Sequence, residues 1–119
     1  ADPSALTVAV AAANALKIIG MPEGSIILAQ AVTYLACAPK SNASYLGIKK
    51  ALNDVEKTNV GFIPHNLKNT SNEYKNPHDY DDNHVNQQYM PDLIKNKKYY
   101  NPTNNGYEKV ISDFLNTLG

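Results

Sequence analysis

Pro39 decides the plan of this chain. It stands within Leu35-Ala36-Cys37-Ala38-Pro39-Lys40-Ser41-Asn42-Ala43-Ser44-Tyr45, where an apolar helical stretch has to stop, because proline has no amide hydrogen to give and its ring collides with the preceding turn. A second helical pattern resumes at once, with Ser41 placed to cap it. The run belongs to no common catalytic motif and reads as the joint of a packing scaffold.

Two helices are predicted ahead of Pro39. Asp2 as cap, Pro3 in the first helical position and Gly20 as a left-handed terminator bound the first, over about residues 3–19. Its positions Leu6, Val10, Ala13 and Leu16 keep three-and-four spacing, yet Val8, Ala9, Ala11, Ala12, Ala15, Ile18 and Ile19 fill most of the remaining circumference. Such a helix is wanted on more than one side. Pro22 and Glu23 open the second helix, in which Ile26, Ile27, Ala29, Val32, Leu35 and Ala36 leave few polar positions. Gln30 and Thr33 interrupt it, beside Tyr34; these three either pair within the chain or mark a surface covered by another subunit.

A third helix is expected from Ser41 to about Lys57, with Tyr45, Ile48, Leu52 and Val55 inward and Lys49, Lys50, Asn53, Glu56 and Lys57 outward. Beyond Thr58 the composition turns to Asn, Pro, His, Tyr and Asp, and periodicity is lost until Asn104. A stretch of that length in a small domain is either functional or wraps on a scaffold. Short helical turns are expected at Pro64 to Lys68 and at Pro91 to Lys95. A last helix from Thr103 or Asn104 should bury Tyr107, Val110, Ile111, Phe114, Leu115 and Leu118. No strand and no repeat emerges, so the fold class is all-α.

A length of 119 residues fits one domain, residues 1–119, with a core of its own. The net charge is zero, and all eleven basic residues are lysines. Without arginine the chain lacks the bidentate forks that read guanine or grip phosphate, so sequence-specific DNA recognition is not expected. The single cysteine, Cys37, permits no internal disulfide, and its apolar neighbours place it in the core of a protein suited to a reducing cytoplasm. The longest apolar run, Ala5 to Ala13, falls well short of the roughly 20 residues of a membrane span. Because the chain does not begin with Met and Asp2-Pro3 opens a helix immediately, it is expected to be a piece of a longer protein.

Sites for chemistry are sparse. His78-Asp79-Tyr80-Asp81-Asp82-Asn83-His84 gathers two imidazoles and three carboxylates, but at no zinc or calcium-loop spacing, and a polar turn explains them better. Ser41 and Ser44 suit a helix start and lack a nucleophile elbow. Gly20-Met21-Pro22-Glu23-Gly24 follows a helix and has no Lys-Ser/Thr ending, so it is not a phosphate-binding loop. Lys95, Lys97, Lys98 and Tyr99 could neutralise phosphates and stack an unpaired base, giving the alternative reading of a DNA-contacting or protein-docking module. Otherwise one of the adjacent rings Tyr99 and Tyr100 anchors the segment and the lysines are solvated. No catalytic, cofactor or metal residue is assigned in this chain.

Read together, Asp2-Pro3 through Ala13, Met21 to Gly24, Gln30 through Tyr45, Ile63-Pro64 with Leu67-Lys68-Asn69, Pro77-His78-Asp79-Tyr80, Gln88-Tyr89-Met90-Pro91 and Tyr99 through Glu108 form a pattern that covers nearly the whole chain. It resembles the C-terminal domain of the replication-associated recombination AAA+ ATPases, the RarA or MgsA family, related to the eukaryotic Werner-helicase-interacting protein. The resemblance implies a helical domain like the collar of clamp-loader subunits, carrying a long irregular segment and joining subunits into a homotetramer. The parent protein would bind ATP and magnesium, act as a DNA-dependent ATPase at stalled replication forks in the cytoplasm, and associate with single-stranded DNA-binding protein. The chain departs from its relatives between Asn69 and Tyr74, where they usually carry a longer insertion.

Overall fold

The computed structural model describes all of residues 1–119. It contains four α-helices and no strand: α1 (Ser4–Ile19), α2 (Gly24–Cys37), α3 (Ala43–Lys57) and α4 (Glu108–Thr117), with 3₁₀ turns at His65–Leu67, Pro77–Asp79, Asp81–Asn83 and Asp92–Ile94. The all-α expectation holds, as do both turns expected after Pro64 and Pro91. Two compact units divide the chain: residues 1–46 with 100–119, and residues 47–99.

In the first unit the Asp2 carboxylate accepts the Ser4 amide at 2.8 Å, satisfying one of the orphan donors at the start of α1. Gly20 ends that helix at φ 74° and ψ −170°, a conformation open essentially to glycine alone. α1 and α2 form an antiparallel hairpin. Leu16, near the end of α1, sits over Gly24 at the start of α2, while the Tyr34 hydroxyl near the end of α2 donates to Asp2 at 2.6 Å. The face of α1 turned to its partner carries Ala5, Val8, Ala12 and Leu16, and that of α2 carries Gly24, Ile27, Ala31 and Leu35. Small residues at the contact let the two backbones approach closely.

Past the Pro39 break, the Lys40 ammonium turns back to the carbonyls of Leu35 at 2.8 Å and of Ala38, closing the negative end of α2. The Ser41 hydroxyl accepts the Ala43 amide at 3.1 Å, the cap foreseen for α3. The returning segment docks on this corner. Asn105 donates its side-chain amide to the Lys40 carbonyl at 3.1 Å, and the Tyr107 amide donates to the Ala1 carbonyl at 2.8 Å. Gly106 between them has φ 51°, and a Cβ there would lie 2.7 Å from both the Ala1 oxygen and the Pro39 ring. Glu108 is buried, its Oε2 accepting the amide of Thr103 at 2.6 Å and its hydroxyl at 2.8 Å. α4 therefore starts at Glu108, later than the Thr103 or Asn104 start expected, because Thr103 to Tyr107 are spent on this turn.

The second unit carries most of α3 and the irregular segment. Polar side chains take the place of regular ladders. The Gln87 amide holds the Lys75 backbone at both ends, donating to its carbonyl at 2.6 Å and accepting its amide at 3.2 Å. Asn66 donates to the Gln88 carbonyl at 3.1 Å, and Ile94 is buried in this unit. The segment closes on α3 through Asp54, whose Oδ2 accepts from the Lys97 ammonium at 2.8 Å and from the Tyr99 hydroxyl at 2.7 Å.

Several side chains face the other way from expectation. Tyr45, Ile48, Leu52 and Val55, read as the inner stripe of α3, are 51–65 % exposed; its inner side carries Ala43, Gly47, Ala51 and Asp54 instead. Along α4 and its two flanking residues, Tyr107, Val110, Phe114 and Leu115 are exposed, and of the apolar side chains expected inside only Ile111 and Leu118 are half-buried. Cys37 is exposed, not core. Hydrophobic periodicity finds the helix but does not say which of two candidate stripes meets the same chain.

Candidate functional site

The outer surface of the α1–α2 hairpin is the main unexplained feature of this molecule. α2 contains no charged residue, and α1 has only Lys17. An uncharged helix is normally enclosed. Here Leu6 on α1 is 74 % exposed, and on α2 Ile26 and Val32 are 76 % and 65 % exposed. Between the helices lies a shallow groove of about 350 Å³ lined by Val8, Ala11, Ala12, Ala15, Ile27, Gln30 and Ala31. No large side chain of the chain is fully buried. Its accessible surface is 9212 Å², whereas a folded monomer of 13.0 kDa exposes about 6,300 Å².

The three residues singled out on α2 part company. Gln30 is exposed on the groove. Thr33 returns its hydroxyl to the Ala29 carbonyl at 2.9 Å, the usual way for a helical threonine to satisfy itself. Tyr34 is held by Asp2. That bond keeps the Asp2 carboxyl below its ordinary range and the Tyr34 phenol above its own. Sequence reasoning placed Asp2 as a cap and missed this second task, since two positions 32 apart carry no local signal.

The lysine segment is likewise divided. Lys97 and Tyr99 both point to Asp54, and Lys95 lies 4.0 Å from Asp92. The bonds from Lys97 and then Tyr99 hold the Asp54 carboxyl down, and Asp54 in turn raises the Tyr99 phenol. Tyr99 is thus tied to α3 through its hydroxyl. Lys50, Asn53, Lys97 and Lys98 border a cleft of about 260 Å³ beside this cluster. Lys50 belongs with the candidate residues and was overlooked, because only the closure of the segment on α3 brings it there.

The His78 to His84 cluster is a folded turn. Asp82 and Asn83 take positive φ, and His78 Nδ1 lies 3.2 Å from the Asn83 side-chain oxygen. No three His, Cys, Asp or Glu side chains gather closely enough to hold a metal ion. No helix is long and apolar enough to cross a membrane.

The family of MgsA AAA+ ATPase C-terminal domains matches residues 1–119, the full chain. The chain belongs to this family. Among relatives of this MgsA-type domain, an AAA domain-containing protein of Mycobacterium tuberculosis is 41 % identical over 128 residues, covering 99 % of this chain and 28 % of that protein. Replication-associated recombination protein A of Bacillus subtilis is 39 % identical over 111 residues, with 84 % and 26 % covered. Its namesake in Escherichia coli K12 is 38 % identical over 126 residues, with 97 % and 28 % covered. The MgsA-type domain thus spans little more than a quarter of these relatives. The mycobacterial match runs over more positions than the 119 of this chain, so that relative carries residues absent here.

Proposed function

We propose that residues 1–119 act as a single, non-catalytic self-association domain, the collar through which an AAA+ ATPase of replication-associated recombination assembles as a homotetramer. One observation carries the reading: the chain exposes roughly 2,900 Å² beyond what a monomer of its mass exposes, and the uncharged α1–α2 hairpin contributes to that surplus. A standard interface takes about 800 Å² from each partner, so the surplus suffices for more than one neighbour per chain. Two neighbours per chain are what a closed assembly of four requires.

The names of the relatives support the wider reading. The parent protein would bind ATP with magnesium in its AAA+ module, hydrolyse it in response to DNA at stalled forks, work in the cytoplasm at the nucleoid, and meet single-stranded DNA-binding protein there. This domain supplies geometry, setting each nucleotide site against a neighbouring subunit. Gln30 sits on the surface proposed for the contact, with Thr33 and Tyr34 following on α2. Light scattering of the 119-residue chain at micromolar concentration is the test. A mass near four chains is expected, and a strict monomer would refute the proposal.

A second reading rests on the cleft beside Asp54. Lys50 and Lys98 are exposed there, and Lys97 stands by with its charge partly matched. This is a local contact for a nucleic-acid phosphate, in keeping with a chain whose net charge is zero.

A further inference from the structure

The α1–α2 groove is concave and without charge, so a second groove cannot fill it; it needs a convex apolar partner. The first unit presents one. Tyr107, Val110 and Phe114 follow each other at three and four residues along the open side of α4, with 52 %, 54 % and 59 % exposure. Helical residues at that spacing form one ridge. The ionic groups next to the ridge, Lys109 and Asp113, are paired with each other, so burying it strands no lone charge. The other open ridge, Tyr45, Ile48, Leu52 and Val55 on α3, runs beside the exposed Lys50 and Glu56 and would bring their charges toward alanines.

We infer that the Tyr107, Val110 and Phe114 ridge of one copy seats in the α1–α2 groove of the next, so that the copies join head to tail. The inference rests on the self-association reading and names its surfaces. A contact of this kind uses a different patch on each side, and it closes into a ring if the rotation per step divides the circle. Each chain then spends two separate surfaces, in agreement with a surplus of roughly 2,900 Å², more than three times the single-partner share of a standard interface.

Complementation tests it. Ala11→Glu blocks the groove and leaves the ridge; Phe114→Asp spoils the ridge and leaves the groove. Both positions are exposed, so the helices should form, as far-ultraviolet circular dichroism can verify. If Phe114→Asp loses helix, Val110→Ser takes its place. Each variant alone should sediment as a 13.0 kDa monomer, and an equimolar mixture should form one-to-one dimers and nothing larger. Retention of the parental mass by either variant, or a mixture that stays monomeric, overturns the head-to-tail contact while the self-association reading stands. A monomer produced by Leu52→Asp, expected to have no effect, assigns the contact to α3 and also overturns it. If the unmutated chain is itself monomeric, the broader reading fails with it.

Discussion

Glu108 holds Thr103 by its backbone amide and its hydroxyl through the single oxygen Oε2, at 2.6 and 2.8 Å. Those bonds, the Thr103 amide foremost, lower the Glu108 carboxyl from its ordinary value of 4.5. A lowered folded value means that the contribution is complete above the ordinary glutamate range and disappears as pH falls through the folded value. Asp2 and Asp54 are shifted the same way. The thermal midpoint should hold near neutrality and fall once the pH drops below about 4. Glu108→Gln should lower the midpoint at pH 7 and flatten that acid limb; an unchanged limb would show that the carboxylate carries no such linkage.

Tyr99 offers the opposite sign. Its phenol is raised, chiefly because it donates to Asp54. The stabilisation it brings is present below the ordinary tyrosine value of 10.0 and is lost as pH climbs through the folded value. Asp54→Asn should return one tyrosine to earlier ionisation in an ultraviolet titration and loosen residues 95–99 toward proteolysis. A titration curve identical to that of the parent would exclude the bond.

Gly106→Ala places a methyl against the Ala1 carbonyl and the Pro39 ring while keeping φ at 51°. Strain in the left-handed region and overpacking should together cost about 1–3 kcal/mol. Equilibrium denaturation in urea measures it. A loss within error of zero would mean that the chain start does not dock on the Pro39 corner.

Melting should depend on protein concentration. The hydrophobic residues buried in one chain are Ala12, Ala31, Ala43 and Ile94, which is little to sustain a fold alone. If copies cover one another, mass action raises the midpoint with concentration. Calorimetry across two decades of concentration should show the rise, and a constant midpoint would speak for a self-sufficient monomer.

For the cleft, Lys50→Glu with Lys98→Glu should weaken single-strand DNA binding and reduce its salt slope by roughly two. Lys97→Glu should cost stability first, since it strands Asp54 beside a like charge.

The helices were legible because their punctuation is local: Asp2, Gly20, Pro39 and Ser41 each act within a few residues of themselves. The orientation of the helices was not. Ala43, Gly47, Ala51 and Asp54 form a stripe on α3 as regular as Tyr45, Ile48, Leu52 and Val55. The larger stripe reads as core in a chain assumed to be alone, yet here the smaller one packs inward. The pairs Asp2 with Tyr34 and Asp54 with Tyr99 lie 32 and 45 residues apart, where only the closed fold relates them.

A contact made through α2, which bears no side chain charged at neutral pH, has no Coulombic handle. Its strength should be almost indifferent to ionic strength and should weaken instead on cooling, as dehydration-driven association does. Selection among look-alike partners would then rest on shape more than on charge, which leaves alanine to glycine or valine exchanges along this hairpin as the natural route by which related subunits come to ignore one another.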